Sequence, residues 1–243
     1  MVLIKFRFRN PVKMVQLYGI KLIDEARFIE IKGLLCSALP ESTAKKASRF
    51  RFNAGAQRQL LGELMVRAIL CNKFHFQNSE VSFDYHSDGK PYLSGSENTH
   101  FNISHSGDWV VCAFSSLPVG VDVEKIRRVN FDIARRFFSA EETYQLFSLP
   151  ENKQTGFFFD LWTLKESYLK ALGTGLTKSL GSFTVHHNGD DILLYDGTRK
   201  MEVNLKKFMP DKNHKLAVCS FEPEFAQPFE ELCIDDLLNM INS

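Results

Sequence analysis

The chain has 243 residues, of which 44% are hydrophobic, and this suits one large domain or two small ones with a substantial core. The 30 Lys and Arg residues against 29 Asp and Glu give a net charge of +1, so we expect neither a nucleic-acid partner nor a membrane partner. The five cysteines are widely spaced without a CxxC pair and predict buried thiols in a cytoplasmic protein.

Residues 1–13 interleave basic and apolar side chains and lack the uninterrupted apolar run of a signal peptide. We interpret them as an extension, with Met14 as a second candidate start. Apolar residues at helical spacing then predict a helix from an N-cap at Asn53 to about Cys71. Alternation predicts a strand over 81–85 with a turn at 87–89. A continuous apolar run over 108–114 predicts a strand that is buried on both faces.

The second half of the sequence repeats this order of a helix followed by strands. Ser139 and Glu142 form a capping-box pattern ahead of one helix, and a long helix is predicted from about Gln154 to Leu172, ended by glycines at 173 and 175. Strands are predicted over residues 182–185, 191–195 and 215–221. We therefore expect an α+β fold of two similar halves, residues 1–118 and 119–243, with a ligand site at the seam between them.

The stretch GVDVEK, residues 120–125, places two carboxylates on one strand. Alternate residues of a strand face the same side, so Asp122 and Glu124 point one way and the valines point the other. The long helix has two apolar faces. We expect the first face to pack on the sheet of its own half, and it consists of Phe157, Leu161, Leu164, Tyr168 and Leu172. We expect the second face to look into the seam, and it consists of Phe158, Trp162, Lys165, Glu166 and Leu169.

Glu166 is thereby brought toward the same cleft as the two strand carboxylates. Three carboxylates repel one another unless a cation lies among them, and oxygen ligands suit Mg²⁺ or Mn²⁺ rather than Zn²⁺. Mg²⁺ commonly completes its shell with substrate phosphate, so Lys165, Lys170 and His105 are candidates to hold phosphate oxygens. His105 lies in a stretch, NISHSG, that we interpret as a turn. Each residue also has an ordinary structural interpretation, such as a cation at a helix C-terminus for Lys170.

Five motifs occur in one order along the chain. They are GKP at 89–91, FNISHSGDWVVCAF at 101–114, GVDVE at 120–124, RRFFS at 135–139 followed by Glu142, and LWTLKESYLKALGTGL at 161–176. Together they strongly resemble the 4'-phosphopantetheinyl transferases of the surfactin-synthetase type. The resemblance extends from about Met14 to about Phe221, and the ordered set is far more specific than any single motif.

The resemblance implies two α+β halves related by a pseudo-twofold axis, with coenzyme A in the cleft between them. Such an enzyme moves the phosphopantetheine group of coenzyme A to a serine of an apo peptidyl, acyl or aryl carrier protein and releases 3',5'-ADP. The implied metal ligands are Asp122, Glu124 and Glu166. The implied coenzyme A contacts are His105 at the 3'-phosphate, Lys90 and Ser104 nearby, and Lys165 and Lys170 near the pyrophosphate.

Transfer to an alcohol requires that the serine lose its proton and that charge on the pyrophosphate be stabilised. We expect Mg²⁺ with Lys165 and Lys170 to stabilise that charge. Glu166 is the expected general base, and Glu124 is the alternative.

The chain departs from the family pattern in the basic segment before the first long helix. Thr43 and Gln59 occupy positions where the family has a lysine and a small hydroxyl residue that face the phosphates. Lys45, Lys46 or Arg49 are candidates to replace them.

We expect the carrier protein to be acidic around its serine and to contact the segment 140–156. Tyr144, Leu146 and Phe147 are candidate anchors there, although packing inside the protein is an equal alternative. A monomer is expected, because two fused halves supply both sides of the cleft. Two other classes stay open. A non-catalytic module that only binds carrier proteins is disfavoured by the intact acidic triad, and a metal-dependent phosphohydrolase by the single acidic cluster.

Overall fold

The computed structural model describes residues 14–188, 191–226 and 229–241, so the expected extension over residues 1–13 lies outside it. The helices are α1 Glu25–Ser37, α2 Glu41–Ser48, α3 Asn53–Phe74, α4 Asp132–Phe137, α5 Ala140–Ser148, α6 Glu151–Leu172 and α7 Ile234–Ile241. The strands are β1 Gln16–Lys21, β2 Phe83–Tyr85, β3 Pro91–Leu93, β4 His100–Ser106, β5 Trp109–Ser115, β6 Val119–Lys125, β7 Phe183–Asn188, β8 Asp191–Asp196, β9 Arg199–Lys200, β10 Asn204–Phe208, β11 His214–Ser220 and β12 Glu230–Glu231.

Two sheets follow the same plan. One has the strand order β12-β1-β5-β4 and the other has the order β10-β11-β6. In the first sheet, β5 lies between β1 and β4, and in the second sheet, β11 lies between β10 and β6. All four of these pairings are antiparallel. Each half also contains a 22-residue helix, α3 or α6. The same order of elements thus occurs twice, and the predicted α+β fold is confirmed, whereas the pseudo-twofold axis stays a prediction.

The strands β5 and β6 are buried because one sheet packs against the other. The residues of β5 that face α3 are Val110, Cys112 and Phe114. The residues between the two sheets are Trp109, Val111 and Ala113 of β5 with Val119, Val121 and Val123 of β6. On the far side of the second sheet, Ala217 and Cys219 pack with α6. The layers therefore run helix, sheet, sheet, helix, which explains the uninterrupted apolar run of β5.

The helix α6 lies directly on β6. A Cβ at Gly120 would collide with the carbonyl oxygen of Ser167 and the backbone nitrogen of Ala171, so only glycine allows this approach. Side chains alternate along a strand, and Asp122 and Glu124 therefore lie on the same side of β6 as α6. The valines pack between the two sheets, and the carboxylates lie on the opposite side of β6, next to α6. The alternation predicted that the two sets face opposite sides.

Several element boundaries agree with the sequence and two details do not. The Ser139 and Glu142 capping box is present, and Gly173 ends α6 with a left-handed φ of 66°. The N-cap prediction at Asn53 is wrong, because Asn53 is already helical and its side chain donates to Glu25 Oε1 at 2.7 Å. The predicted turn at NISHSG is also wrong. That stretch continues β4 to Ser106, and the turn follows at residues 107–108.

The end of the chain returns to the first half. Strand β12 pairs in parallel with β1, and Leu237 and Ile241 of α7 lie in the core around α3. The boundary at residues 118–119 stays a prediction, but the segment after the second sheet packs on the first half. Across the ranges that the structure covers, no helix combines the length and apolarity needed to span a membrane.

Candidate active site

Three side chains of β4 join the first sheet to β6. Their positions are spaced by two, so they project from the same side of the strand. The oxygens of Asn102, Ser104 and Ser106 accept the backbone N–H groups of Val121, Val123 and Lys125 at 2.9, 3.3 and 3.1 Å respectively. A ladder of side chains therefore takes the place of backbone pairing where the two sheet edges meet.

The same serines orient the two carboxylates of β6. Ser104 Oγ donates to Asp122 Oδ1 at 3.1 Å, and Ser106 Oγ donates to Glu124 Oε2 at 2.8 Å. A hydroxyl can accept one hydrogen bond and donate another, so each serine serves both the backbone of β6 and its side chain. The strand β4 thereby sets the direction of both carboxylates.

Lys170 of α6 lies against Asp122. Its Nζ donates to Asp122 Oδ1 at 2.7 Å, to Ser104 Oγ at 3.0 Å and to the Val121 carbonyl at 3.1 Å. Burial raises the pKa of Asp122 above its ordinary value, although Lys170 and Ser104 oppose the rise. The second oxygen, Asp122 Oδ2, is buried and has no hydrogen-bond partner among the residues that the structure covers. Asp122 therefore has one satisfied oxygen and one that is open to a further cation.

Glu124 and Glu166 complete the acidic cluster. Burial raises the pKa of both, and neighbouring carboxylates add to the rise. All candidate ligands are oxygens, which is the donor set that Mg²⁺ prefers. Within the described ranges, however, no three His, Cys, Asp or Glu side chains form a ready-made metal site. The residues fit a cation that takes part of its shell from a substrate, and the metal assignment of the three stays a prediction.

Lys90 reaches across the cleft from the turn between β2 and β3. Its Nζ donates to the carbonyl of Val119 at 3.1 Å and to the carbonyl of Lys170, at the end of α6, at 2.5 Å. Burial lowers the pKa of Lys90 to about 8, with Asp88 opposing the change. Lys90 lines a cavity of about 330 Å³ together with Glu166 and Lys170. The ammonium group is therefore placed for an anion in this cavity.

A second cavity of about 260 Å³ shares Pro91 and Ile103 with the first, so the two form one cleft. The basic side chains in its lining are Lys46, Arg58 and His105. Arg58 Nη2 donates to the carbonyl of Gly107 at 2.6 Å, and its Nε is buried without a partner within the described ranges. Desolvation by the surrounding protein lowers the pKa of the His105 imidazole, and the positive charge of Arg58 lowers it further. Arg58 and Lys46 therefore supply the positive charge of this cavity.

The positions that depart from the family pattern, and their candidate replacements, lie in different surroundings. The hydroxyl of Thr43 is buried and donates to Glu63 Oε2 at 2.5 Å, and Thr43 lines neither of the two cavities. Lys45 pairs with Glu41 on its own helix at 2.8 Å. Gln59 and Lys46 line the second cavity. Of the three candidate replacements, Lys46 lies in that cavity, and Arg49 lines a neighbouring pocket of about 280 Å³ with Lys46 and Gln59.

The structure corrects the expectation for Lys165. Its side chain is fully buried, and its Nζ donates to Glu142 Oε1 and Oε2 at 2.6 and 2.7 Å and to the Phe183 carbonyl at 2.6 Å. These three acceptors lie in the core of the second half, so Lys165 cannot contact phosphate in this position. The pyrophosphate and catalytic roles expected for it are wrong in this structure. The buried carboxylate of Glu142 fixes the side chain instead.

The two-faced description of α6 is partly confirmed. The residues of the first face lie in the core of the second half, as expected. On the second face, however, Phe158 and Trp162 pack on rings of α4 and its flanks at 5.2–6.4 Å. Of the second face, Glu166 and Leu169 line the first cavity, and Lys170 lies beside them. The physical reason is that α4 supplies an aromatic cover within the same half.

Sequence reasoning missed three residues of this region. Asn102 and Ser106 were overlooked because NISHS was interpreted as a turn, whereas its period of two is typical of a strand. Arg58 lies with Gln59, Gly62 and Glu63 on one side of α3. A polar patch of this kind on an otherwise apolar helix is the signal that could have identified Arg58.

Comparisons with known proteins identify the family of this chain. Residues 118–219 match the family described as the 4'-phosphopantetheinyl transferase superfamily, and residues 32–117 match 4'-phosphopantetheinyl transferase, N-terminal. The chain is 33% identical over 225 residues to 4'-phosphopantetheinyl transferase Sfp of Bacillus subtilis (strain 168), covering 92% of this chain and 100% of that protein. The chain belongs to the 4'-phosphopantetheinyl transferase superfamily. The family predicted from the motifs is therefore confirmed, and the chain is a transferase of that class.

A second relative is 4'-phosphopantetheinyl transferase psf-1 of Bacillus pumilus, 36% identical over 81% of this chain and 85% of that protein. Among solved structures, a holo-(acyl-carrier-protein) synthase from Bacillus anthracis str. Ames in complex with CoA (3',5'-ADP) matches 42% of this chain and 93% of that chain. Its sequence identity is 22% and the TM-score is 0.37. The two phosphopantetheinyl transferase relatives therefore match this chain over most of its length.

Proposed function

We propose that this cleft transfers the phosphopantetheine group of coenzyme A to a serine of an apo carrier protein, with release of 3',5'-ADP. The observation that carries the proposal is that Glu166 lines one cavity with Lys90 and Lys170, and that Lys170 pairs with Asp122 at 2.7 Å. This cavity joins a second one that is lined by Lys46 and Arg58. Carboxylates suit a metal-assisted displacement at phosphorus, and the cations suit the three phosphate groups of coenzyme A. The family membership supports the reaction class.

The carboxylates Asp122, Glu124 and Glu166 would hold Mg²⁺ in this proposal, with Mn²⁺ as a substitute. The ion would neutralise charge that develops on the pyrophosphate during the displacement. The open oxygen of Asp122 supports this role. Lys170 contacts Asp122, and Lys90 is held by two carbonyls within the described residues; both lysines are proposed to bind the pyrophosphate oxygens. Ser104 forms hydrogen bonds with both Asp122 and Lys170 and so holds the two side chains in position.

Glu166 is the proposed general base for the acceptor serine. Burial and the neighbouring carboxylates raise its pKa, which makes it a better proton acceptor than an ordinary glutamate. Glu124, the alternative, accepts a hydrogen bond from Ser106 at 2.8 Å, and this stabilises its ionised form. This difference between the two glutamates supports Glu166 as the general base.

The second cavity is proposed to bind the 3'-phosphate of the nucleotide. Arg58 and Lys46 supply fixed positive charge there, and His105 supplies a hydrogen-bonding nitrogen. The guanidinium of Arg58 has donor capacity left for this purpose, since only its Nη2 is used by the protein within the described ranges. Thr43 and Gln59 stand where the family has a lysine and a small hydroxyl residue that face the phosphates. We therefore propose that Arg58 supplies a phosphate contact in their place.

The acceptors are proposed to be carrier domains of peptide-synthetase or polyketide type, and the enzyme to act as a cytoplasmic monomer. The two halves of a single chain supply both sides of the cleft, which supports a monomer. All five cysteines are free thiols, which supports a reducing compartment.

The release of 3',5'-ADP tests the reaction and separates it from the alternatives. The protein is incubated with coenzyme A and Mg²⁺, with and without an apo peptidyl carrier protein, and nucleotide is quantified by chromatography. The proposal predicts release only with the carrier. Release without a carrier would indicate a phosphohydrolase, and no release with bound coenzyme A would indicate a non-catalytic module.

A further inference from the structure

The turn between β4 and β5 connects the second cavity to the second half of the chain. It consists of Gly107 and Asp108, and it follows His105, which lines that cavity. The carbonyl of Gly107 accepts a hydrogen bond from Arg58 Nη2 at 2.6 Å. The direction of this carbonyl therefore helps to set where the Arg58 guanidinium points.

Gly107 packs against the second sheet. Its φ is 56°, and a Cβ there would lie 2.6 Å from His214 Nε2 and 2.6 Å from Lys125 Cδ. Both the left-handed backbone and this close approach require glycine at the position. Lys125 and His214 are paired in register on β6 and β11. The second half thus touches the turn through two neighbouring side chains.

His214 is the more rigid of these two side chains. It is 1% exposed, whereas the side chain of Lys125 is 43% exposed. Lys125 Nζ pairs with Asp108 Oδ2 at 3.1 Å, but an exposed pair of this kind contributes little. A buried ring, in contrast, is confined by its close-packed surroundings. The position of His214 therefore determines how closely the turn approaches the second sheet.

Asp211 holds the imidazole of His214 in place. Its Oδ1 lies 2.8 Å from His214 Nδ1, and its Oδ2 accepts from Trp109 Nε1 at 2.9 Å. Desolvation opposes ionisation, but these hydrogen bonds lower the pKa of Asp211 to about 2. An ionised carboxylate can only accept, so Nδ1 of the neutral imidazole carries the proton. Nε2, which faces Gly107, is buried without a partner within the described ranges, and a proton there would lack an acceptor.

We propose that His214 is a positioning residue whose ring, held by Asp211, fixes Gly107 and thereby aims Arg58 at the 3'-phosphate of the nucleotide. The inference rests on the proposed transferase function. It goes beyond that function because neither His214 nor Asp211 lines either cavity. Trp109 extends the connection into the core between the two sheets. Recognition of the 3'-phosphate thus depends on how the two halves pack together.

An alternative is that His214 only fills space at the end of the second sheet. Its loss would then lower stability without a specific effect on the phosphate. A positioning role instead changes the preference for coenzyme A over 3'-dephospho-coenzyme A, which lacks the group that Arg58 is proposed to bind. The ratio of the two dissociation constants therefore separates the two roles, and it can be measured without turnover.

Two test variants disturb the ring in different ways. His214→Ala removes it, and Asp211→Asn leaves an amide with a single acceptor oxygen, which cannot serve both His214 and Trp109. The control is Leu194→Ala, which opens a cavity in the core of the second half. Isothermal titration calorimetry gives the Kd of each variant for both compounds, and urea denaturation shows that each variant is folded.

We expect wild-type protein and Leu194→Ala to prefer coenzyme A about tenfold, and both test variants to prefer it about threefold or less. Arg58→Gln should abolish the preference, and adding His214→Ala to Arg58→Gln should not change the ratio further, because the two residues act through one contact.

A wild-type ratio in folded His214→Ala and Asp211→Asn would overturn the positioning role and leave the transferase function in place. An equal loss of preference in Leu194→Ala would also overturn it, since the effect would then follow stability alone. Equal Kd values of the wild-type protein for the two compounds would instead refute the proposed 3'-phosphate site, and the positioning role with it.

Discussion

Single side chains on β4 decide where the carboxylates of the cleft point. Ser104 and Ser106 each bind a backbone N–H of β6 and a carboxylate of the same strand. The carboxylate pair itself could be predicted from alternation in GVDVEK. Its partners could not, because a strand is identified by its own pattern, whereas the neighbour across a sheet edge depends on the tertiary fold.

Arg58 provides a prediction at the scale of a residue. Arg58→Gln should raise the KM for coenzyme A about tenfold, since a charge-assisted contact to the 3'-phosphate is lost. For 3'-dephospho-coenzyme A, which lacks that phosphate, the KM should stay unchanged. Kinetics with both compounds, and with Arg58→Lys as the variant that retains charge, measure the difference. An equal rise for both compounds would mean that Arg58 acts only through the Gly107 carbonyl.

The proposed contact of Lys90 with coenzyme A predicts that the binding of coenzyme A is sensitive to pH. Its pKa is about 8 in the folded protein, so the ammonium is charged below pH 8 and is lost above it. The KM for coenzyme A should therefore be flat from pH 6.5 to about 7.5 and rise as the pH passes through 8 toward 9.5. The Lys90→Arg variant keeps its charge and should show a flatter profile. A wild-type profile without a rise above pH 8 would contradict the assignment.

At the scale of elements, α6 is held by a buried ion pair. Lys165 and Glu142 connect α6 to the start of α5, and Glu142 also accepts the backbone N–H of Val185 on β7 at 2.8 Å. The sequence predicted the helix, its glycine end and the capping box. It failed on Lys165, because helical spacing gives the side from which a residue projects but not how far a neighbouring element covers that side.

The buried pair leads to a stability prediction. Lys165→Met leaves the Glu142 carboxylate buried without its cation, and the free energy of unfolding should fall by about 3–5 kcal/mol. Urea denaturation measures this loss. Lys178→Met is the control, since it breaks the more exposed pair with Asp196 and should cost about 1 kcal/mol or less. Equal effects of the two changes would show that Lys165 is not anchored as the structure indicates.

At the scale of the whole molecule, the active cleft is a product of two sheets that pack together. Residues of β5 and β6 form a common core, and this arrangement brings the cations of the first half to the carboxylates of the second. The repeat of helix and strands was visible in the sequence. The layering was only implied by the buried run of β5, and the return of β12 and α7 to the first half left no periodic signal that was recognised.

The most direct test is the intact mass of an apo peptidyl carrier protein after incubation with this protein, coenzyme A and Mg²⁺. The account predicts a gain equal to one phosphopantetheine group, which is absent with EDTA and with a carrier whose acceptor serine is alanine. It also predicts that Glu166→Gln, with an unchanged circular dichroism spectrum, slows the gain at least about a hundredfold. No mass gain with several unrelated carriers, or a wild-type rate for Glu166→Gln, would contradict it.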